Sequence, residues 1–216
     1  MADEGLVCVG DSIITAEQSW GFRVAQAGGW PLVRVSARGA RSWQVLEQLP
    51  HLRGHRYAVG ALTAGANDVL FDWDAACYEA NLRNILKAMS PSCERLLIAT
   101  LPRSFRRFPG SSPARREHTA SANRIILAAA AEVGAEIVDG GDLGGRLMRP
   151  DRVHPSVLGH LVLADRAARL LGLGVQPSAI ATGARNEDSG VRYLAVTARH
   201  TLRELRARVT RPGQPT

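Results

Sequence analysis

Short apolar runs alternate with longer segments of helical periodicity along most of this chain. The apolar runs hold mainly Leu, Val, Ile and Ala. They cover residues 6–9, 32–36, 57–63, 96–101 and 136–138. Strand–helix alternation of this kind predicts a parallel sheet with helices on both faces. In such sheets ligands bind beyond the carboxyl ends of the strands, so we expect functional side chains directly after strands.

Local signals predict where several helices begin and end. Thr15 with Gln18 resembles a capping box for a first helix that stops at Gly28. A last helix is predicted to begin at Pro155, because proline suits the first helical position, and to stop at Gly172. Apolar residues at helical spacing predict further helices over about 43–49, 74–89 and 119–133.

The length of 216 residues suits one domain with a sizeable core. We predict a domain over residues 1–175, a linker over 176–190 and a disordered tail over 211–216. Residues 191–210 carry an apolar stripe opposite a row of arginines, which predicts a basic amphipathic helix. Docking on the domain, homodimer formation and contact with an anionic membrane surface are all open to such a helix. The first two are favoured, because apolar stripes usually bury against protein.

The formal net charge of +7 comes almost entirely from arginine, since Lys87 is the only lysine. Coding bias also produces such arginine use, so the charge is compatible with an anionic partner without identifying one. No nucleic-acid motif is present, and we expect no nucleic-acid partner. The first residues lack the charged start and long apolar run of a secretory signal, so we expect none. No apolar segment approaches about 20 residues. Cys8, Cys77 and Cys93 have no paired spacing, so we predict free thiols in a cytoplasmic protein.

Gly10, Asp11 and Ser12 come directly after the first predicted strand. A serine at a strand-to-helix turn is exposed at the sheet edge, and its own amide can bind a developing oxyanion. These residue types are also common in turns, so the tripeptide alone does not distinguish a nucleophile from a turn.

Asp151 and His154 lie three residues apart at the entry to the last predicted helix. This spacing lets the carboxylate reach Nδ1 of the imidazole and leaves Nε2 free to accept a serine proton. An N-capping aspartate beside a surface histidine explains the segment equally well when it is taken by itself.

Two uncharged hydrogen-bond donors follow the second and third predicted strands. They are the amide of Gly39 and the side-chain amide of Asn67, and both suit an alkoxide-like oxygen. Each also fits an ordinary turn. Together with Ser12, Asp151 and His154, however, they complete the set of groups that acyl transfer needs, which unrelated turns would not be expected to do.

In order and spacing, these segments resemble the SGNH, or GDSL-type, hydrolase family. The matching segments are Gly10-Asp11-Ser12, Gly39 within residues 36–42, Gly65-Ala66-Asn67-Asp68 and the residues from Asp151 to His154. They fall within about residues 5 to 172, nearly the whole predicted domain. The glycine segment departs from the family pattern, which often begins with asparagine and has smaller residues.

The resemblance implies an α/β fold, a three-layer flavodoxin-like sandwich with a five-stranded parallel sheet, here followed by the C-terminal amphipathic helix. It implies that Ser12 is acylated, that His154 acts as general base and then acid, and that Asp151 orients His154. The oxyanion hole would consist of the Ser12 and Gly39 amides and the Asn67 side chain. The resemblance implies neither a metal nor a cofactor.

Candidate substrate-binding residues lie in loops on the same side of the predicted sheet. Arg103, Phe105, Arg106 and Arg107 belong to a long loop over residues 102–116, which suits a lid or an arginine clamp for phosphate or carboxylate. A solvated loop explains these residues as well. Trp43 suits a pocket wall, and ordinary packing is the alternative role.

We therefore predict a serine hydrolase that cleaves the carboxylic ester or thioester of a small-molecule substrate, such as an esterase, deacetylase or lysophospholipase. Transfer of the acyl group to another acceptor uses the same residues and depends on the exclusion of water. A binding module on this fold with a basic surface is the non-catalytic alternative, against which the complete set of catalytic residue types speaks.

Overall fold

The computed structural model describes residues 3–103 and 113–181. Within them one sheet of five parallel strands has the order β2-β1-β3-β4-β5, which is the flavodoxin-like order. The strands are β1 (Asp3–Gly10), β2 (Leu32–Ser36), β3 (Tyr57–Thr63), β4 (Cys93–Ala99) and β5 (Glu136–Val138). The helices are α1 (Ser12–Thr15), α2 (Trp20–Gly28), α3 (Ser42–Gln48), α4 (Ala66–Leu70), α5 (Ala75–Met89), α6 (Pro113–Val133), α7 (Val157–Leu171) and α8 (Pro177–Ile180). The predicted α/β class and parallel sheet are confirmed.

Two apolar cores lie on opposite faces of the sheet, because successive side chains of each strand point to opposite faces. On β1, Val7 and Val9 pack with α3, α5 and α6, whereas Leu6 and Cys8 pack with α2 and α7. Both faces of the central strands are covered, so residues 6–9 of β1 and 58–62 of β3 are apolar, as expected for a parallel sheet. The result is a three-layer sandwich.

The carboxyl ends of the first three strands lie at one level. Gly10 pairs in register with Ser36 of β2 and with Thr63 of β3. The loops that follow β1, β2 and β3 therefore leave the sheet side by side, although they are far apart in the sequence.

Three predicted helix starts are wrong. The helix predicted over about 119–133 is α6, which begins at Pro113, so the last residues of the loop predicted over 102–116 are helical. Thr15 does not cap α2, because its hydroxyl donates to the Asp11 carbonyl (2.7 Å) and Ser19 caps the helix instead. The last helix begins at Val157 rather than Pro155, because Pro155 pairs with Met148 in an antiparallel bridge.

The segment predicted as the start of the linker contains the short helix α8. It packs against α7, and the Ser178 amide donates to Asp165 Oδ1 (2.9 Å). The remainder of the predicted linker, the amphipathic helix over 191–210 and the tail over 211–216 lie outside the described residues. In the described part of the chain, no helix combines the length and apolar character that crossing a membrane requires.

Candidate active site

A glycine places the turn that carries Ser12 against the neighbouring strand. Gly10 has φ +138°, and a Cβ there would lie 1.9 Å from the Thr63 carbonyl oxygen. Asp11 continues the contact by donating its amide to the same oxygen (3.1 Å). The Asp11 carboxylate then caps α1 by accepting from the Ile13 amide (2.9 Å). Ser12 is consequently the first residue of α1, at the edge of the sheet where the sequence predicted it.

Ser12, His154 and Asp151 form a continuous hydrogen-bonded chain. Ser12 Oγ lies 2.8 Å from His154 Nε2, and His154 Nδ1 lies 2.9 Å from Asp151 Oδ2. The His154 and Asp151 side chains are 30% and 29% exposed, so both are shielded but reachable by solvent. The structure thus brings together three residues that are up to 142 positions apart in the chain.

The turn that carries Asp151 and His154 is held by backbone contacts on both sides. The Arg149 amide donates to the His154 carbonyl (2.8 Å), and the Arg152 amide donates to the Arg149 carbonyl (2.8 Å). Arg152 has φ +55°, an uncommon conformation for a residue with a side chain. Ser156 closes the turn, since its hydroxyl donates to the Arg146 carbonyl (2.7 Å) and also caps α7.

Asp151 is held as a carboxylate by hydrogen bonds. Burial alone raises its pKa, but hydrogen bonds from the His154 side chain and from the His154 and Val153 amides outweigh burial and lower the pKa to about 2. Both amides donate to Oδ1 (3.0 and 2.9 Å), which leaves Oδ2 for the imidazole. A fixed carboxylate at Nδ1 keeps the proton on that nitrogen and leaves Nε2 as the acceptor for the serine proton.

The two predicted oxyanion donors lie beside Ser12. Gly39 and Asn67 line the same cleft as Ser12. Gly39 has φ +77°, in the left-handed region that favours glycine. Asn67 uses one side-chain N–H on the Ala40 carbonyl (3.0 Å), which fixes the amide plane and leaves a second N–H for another acceptor.

A buried aspartate ties the loop after β2 to the loop after β3. Asp68 accepts hydrogen bonds from both the amide and the hydroxyl of Ser42 (3.0 and 2.6 Å). Ser42 begins α3, three residues after Gly39. Through Ser42, Asp68 therefore positions the turn that contains Gly39, a role that the sequence analysis did not assign. Its place directly after Asn67 is the only sequence signal for it.

The cleft around Ser12 has a volume of about 720 Å³ and contains ionisable residues that the sequence analysis missed. They are Glu17, Arg38, Arg149 and a second histidine, His160. Burial, with smaller effects of the Arg149, His154 and Arg23 charges, lowers the pKa of His160 to about 3. His160 is thus neutral near pH 7, and His154 is the histidine that contacts Ser12.

The predicted substrate-binding residues are placed differently. Neither Arg103 nor Trp43 is among the residues that line the cleft. Arg103 lies four residues after the end of β4, and its amide donates to the Gly141 carbonyl (3.0 Å). Trp43 projects from α3 with 45% of its surface exposed. Phe105, Arg106 and Arg107 fall outside the described residues. Across residues 3–103 and 113–181, no group of three or more His, Cys, Asp or Glu side chains could hold a metal ion.

Ser12, His154 and Asp151 are joined by hydrogen bonds from hydroxyl to imidazole to carboxylate, which is the arrangement found in serine hydrolases. Residues 8–162 match the model of the GDSL-like Lipase/Acylhydrolase family, and the chain belongs to this family of ester hydrolases. The resemblance seen in the sequence is confirmed. The comparison with curated proteins gives no match.

Solved structures with the same fold cover most of the chain. An α/β-hydrolase enzyme from the metagenome of Lake Arreo, Spain, is 19% identical with a TM-score of 0.65, covering 80% of this chain and 96% of that one. A lipolytic protein of the G-D-S-L family from Veillonella parvula is 16% identical with a TM-score of 0.65, covering 78% and 98%. An acetylxylan esterase from Geobacillus stearothermophilus is 19% identical with a TM-score of 0.62, covering 82% and 96%.

Proposed function

We propose that this protein is a serine esterase that hydrolyses carboxylic esters through an acyl-enzyme on Ser12. The observation that supports this proposal is the chain of hydrogen bonds from Ser12 Oγ through His154 to Asp151. Membership of an acylhydrolase family supports the same reaction class. Structures of the acetylxylan esterase above include catalytic mutants with alanine in place of a serine and of a histidine.

In acylation, Ser12 Oγ attacks the ester carbonyl carbon while His154 Nε2 takes the hydroxyl proton. The carbonyl oxygen becomes an oxyanion, for which the Ser12 and Gly39 amides and the free N–H of Asn67 are the donors. His154 then gives its proton to the alkoxide, which leaves as the alcohol. Asp151 remains ionised throughout, because it stabilises the imidazolium without taking its proton.

In deacylation, water replaces the alcohol. His154 Nε2 takes a proton from the water, the hydroxide adds to the acyl carbon, and the proton returns to Ser12 Oγ as the acid is released. The partial exposure of His154 and the open cleft give water a path to Nε2. This path favours hydrolysis over acyl transfer, which requires that water be kept out.

Covalent labelling tests the nucleophile. We expect a fluorophosphonate probe to label the folded protein and not to label Ser12→Ala. Ser121→Ala, on α6, is the matched control and should still be labelled.

Turnover of p-nitrophenyl acetate should fall by at least about 10³-fold in Ser12→Ala and in His154→Ala, because both residues act in one reaction unit. His51→Ala, at an exposed histidine outside the cleft, is the control for the second change. An unmodified, folded protein that neither labels nor hydrolyses the ester would contradict the proposal.

A further inference from the structure

Two arginines line the cleft in addition to the residues that act on the ester. Arg38 and Arg149 both contribute to its wall together with Ser12 and His154. Both are exposed, so their guanidinium groups are open to a ligand that enters from solvent. Neither residue takes part in the proposed proton transfers.

Neither arginine has an acidic partner within salt-bridge distance among the side chains of residues 5–103 and 115–181. Other arginines of the same part of the chain do, namely Arg41, Arg83, Arg95 and Arg166. An unpaired guanidinium is ordinary on an open surface. In a concave site it offers a planar set of donors that matches a carboxylate or phosphate.

In the sequence, one arginine lies next to an oxyanion donor and the other lies on the turn that carries His154. Arg38 directly precedes Gly39, one of the proposed oxyanion donors. Arg149 lies on the turn of Asp151 and His154, and its amide donates to the His154 carbonyl (2.8 Å). His154 protonates the departing alcohol in the proposed reaction, so Arg149 belongs to the side of the cleft where the alcohol leaves.

The acidic groups of the cleft leave this positive charge available. Asp151 is occupied by His154 and by two backbone amides. Glu17 is exposed in the same cleft, and it forms no salt bridge with either arginine within the described residues. The charge of Arg149 also acts inside the cleft, because it contributes to the lowered pKa of the buried His160.

We propose that the preferred substrates are esters whose alcohol portion carries an anionic carboxylate or phosphate group, held by Arg149 and Arg38. The inference rests on the proposed ester hydrolysis and specifies its substrate class. Arg149 and Arg38 line the same cleft as Ser12, and their contact with the anion presents the ester bond to Ser12.

Matched acetate esters test the proposal. The neutral substrate is methyl 4-acetoxybenzoate, and the anionic substrates are 4-acetoxybenzoate and 4-acetoxyphenyl phosphate. For each pair, the ratio of kcat/KM values, anionic over neutral, is divided by the ratio of the hydroxide-catalysed rates to remove differences in leaving-group reactivity. The larger normalised ratio identifies carboxylate or phosphate as the preferred group.

We expect normalised ratios above one in the unmodified protein. Arg149→Gln and Arg38→Gln should each lower them about tenfold or more, as expected for the loss of hydrogen bonds to a charged group. Arg124→Gln, at an exposed arginine of α6, is the matched control and should leave the ratios unchanged. Ratios at or below one in the unmodified protein, or ratios that survive both cleft substitutions, would overturn the proposal.

A binding measurement separates this inference from the proposed function. Titration of Ser12→Ala with phenyl phosphate and with benzoate, followed by NMR, reports on anion binding without turnover. Binding that is lost in Arg149→Gln and Arg38→Gln supports the anion site even if no ester is hydrolysed, in which case only the esterase proposal fails. Hydrolysis of the neutral ester without anion preference or anion binding leaves the esterase intact and removes the inference.

Discussion

At the scale of single residues, two aspartates near Ser12 have opposite electrostatic environments. Asp151 is partly buried, and its hydrogen bonds lower its pKa to about 2. Asp11 is fully buried; burial raises its pKa to about 7, although the Ile13 amide and the charge of His154 act against this. Within the described residues its Oδ2 has no hydrogen-bond partner. A buried oxygen without a donor favours the neutral acid.

Asp11 should therefore make the stability of the fold depend on pH. Its pKa is higher in the folded protein than the ordinary value of 3.8, so the folded state binds a proton that the unfolded state has lost between about pH 4 and pH 7. Stability consequently falls as pH rises through this window. Asp11→Asn keeps the cap on Ile13 but removes the titration. We therefore expect the Tm of the variant, relative to that of the unmodified protein, to increase from pH 4 to pH 8. Asp74→Asn, at the exposed N-cap of α5, is the matched control, and a Tm difference that does not change with pH would contradict this account.

At the scale of elements, the close approach of β1 and β3 decides where the nucleophile lies. Gly10 ends β1 and leaves no space for a side chain, since its Cβ would meet the backbone of Thr63. The Ala37 amide also donates to the Gly10 carbonyl (3.1 Å), which joins the loop after β2 to the same point. The three loops of the site are thus connected through the backbone at one glycine.

Gly10→Ala should be markedly more destabilising than an equivalent change elsewhere. We expect a loss of about 3 kcal/mol in the free energy of unfolding, because the added Cβ would force two paired strands apart at a strained φ. Gly29→Ala is the control: its φ is +67° but no atom lies within 4 Å of the added Cβ. That change should cost about 1 kcal/mol from backbone strain alone. Chemical denaturation measures both, and equal losses would show that the contact with Thr63 is unimportant.

At the scale of the whole molecule, the sheet and its two cores position the site. Within the described residues, the two core clusters are formed by residues between Leu6 and Leu173. The residues of the candidate site lie between Gly10 and His160. We infer that the catalytic unit ends near α8, whose residue Pro177 is buried.

A chain of residues 1–181 should therefore fold and retain esterase activity. We expect its Tm to fall by less than about 4 °C, which corresponds to about 1 kcal/mol for a domain of this size. A chain of residues 1–176 also lacks α8 and should have a lower Tm still, because the contact between Ser178 and Asp165 is removed.

Light scattering of the full and shortened chains tests the homodimer predicted to form through the C-terminal helix. The prediction would be contradicted if the full chain and the shortened chain have the same number of copies per particle.

Periodicity and turn chemistry were sufficient to predict the strands, since short apolar runs stand out from the helical periodicity and turn residues between them. They were insufficient at the helix starts. The Thr15 hydroxyl donates to the Asp11 carbonyl instead of accepting from an amide of the next helix. The position of Pro155 depends on Met148, seven residues earlier in the chain. Local competition of this kind is settled by contacts that a short sequence window does not contain.

The sequence by itself determined the fold class, the family and the residue types for ester cleavage, because these follow from hydrophobic periodicity and from motif order along the chain. Only the tertiary structure decided that Asp68 supports the Gly39 turn, that His160 is buried and neutral, and that Arg38 and Arg149 enter the cleft while Trp43 and Arg103 do not line it. The physical reason is that burial, pKa and cleft membership depend on which loops meet at the edge of the sheet. Arginines such as Arg38 and Arg103 cannot be told apart by residue type, and only their positions in the folded chain show which of them lines the cleft.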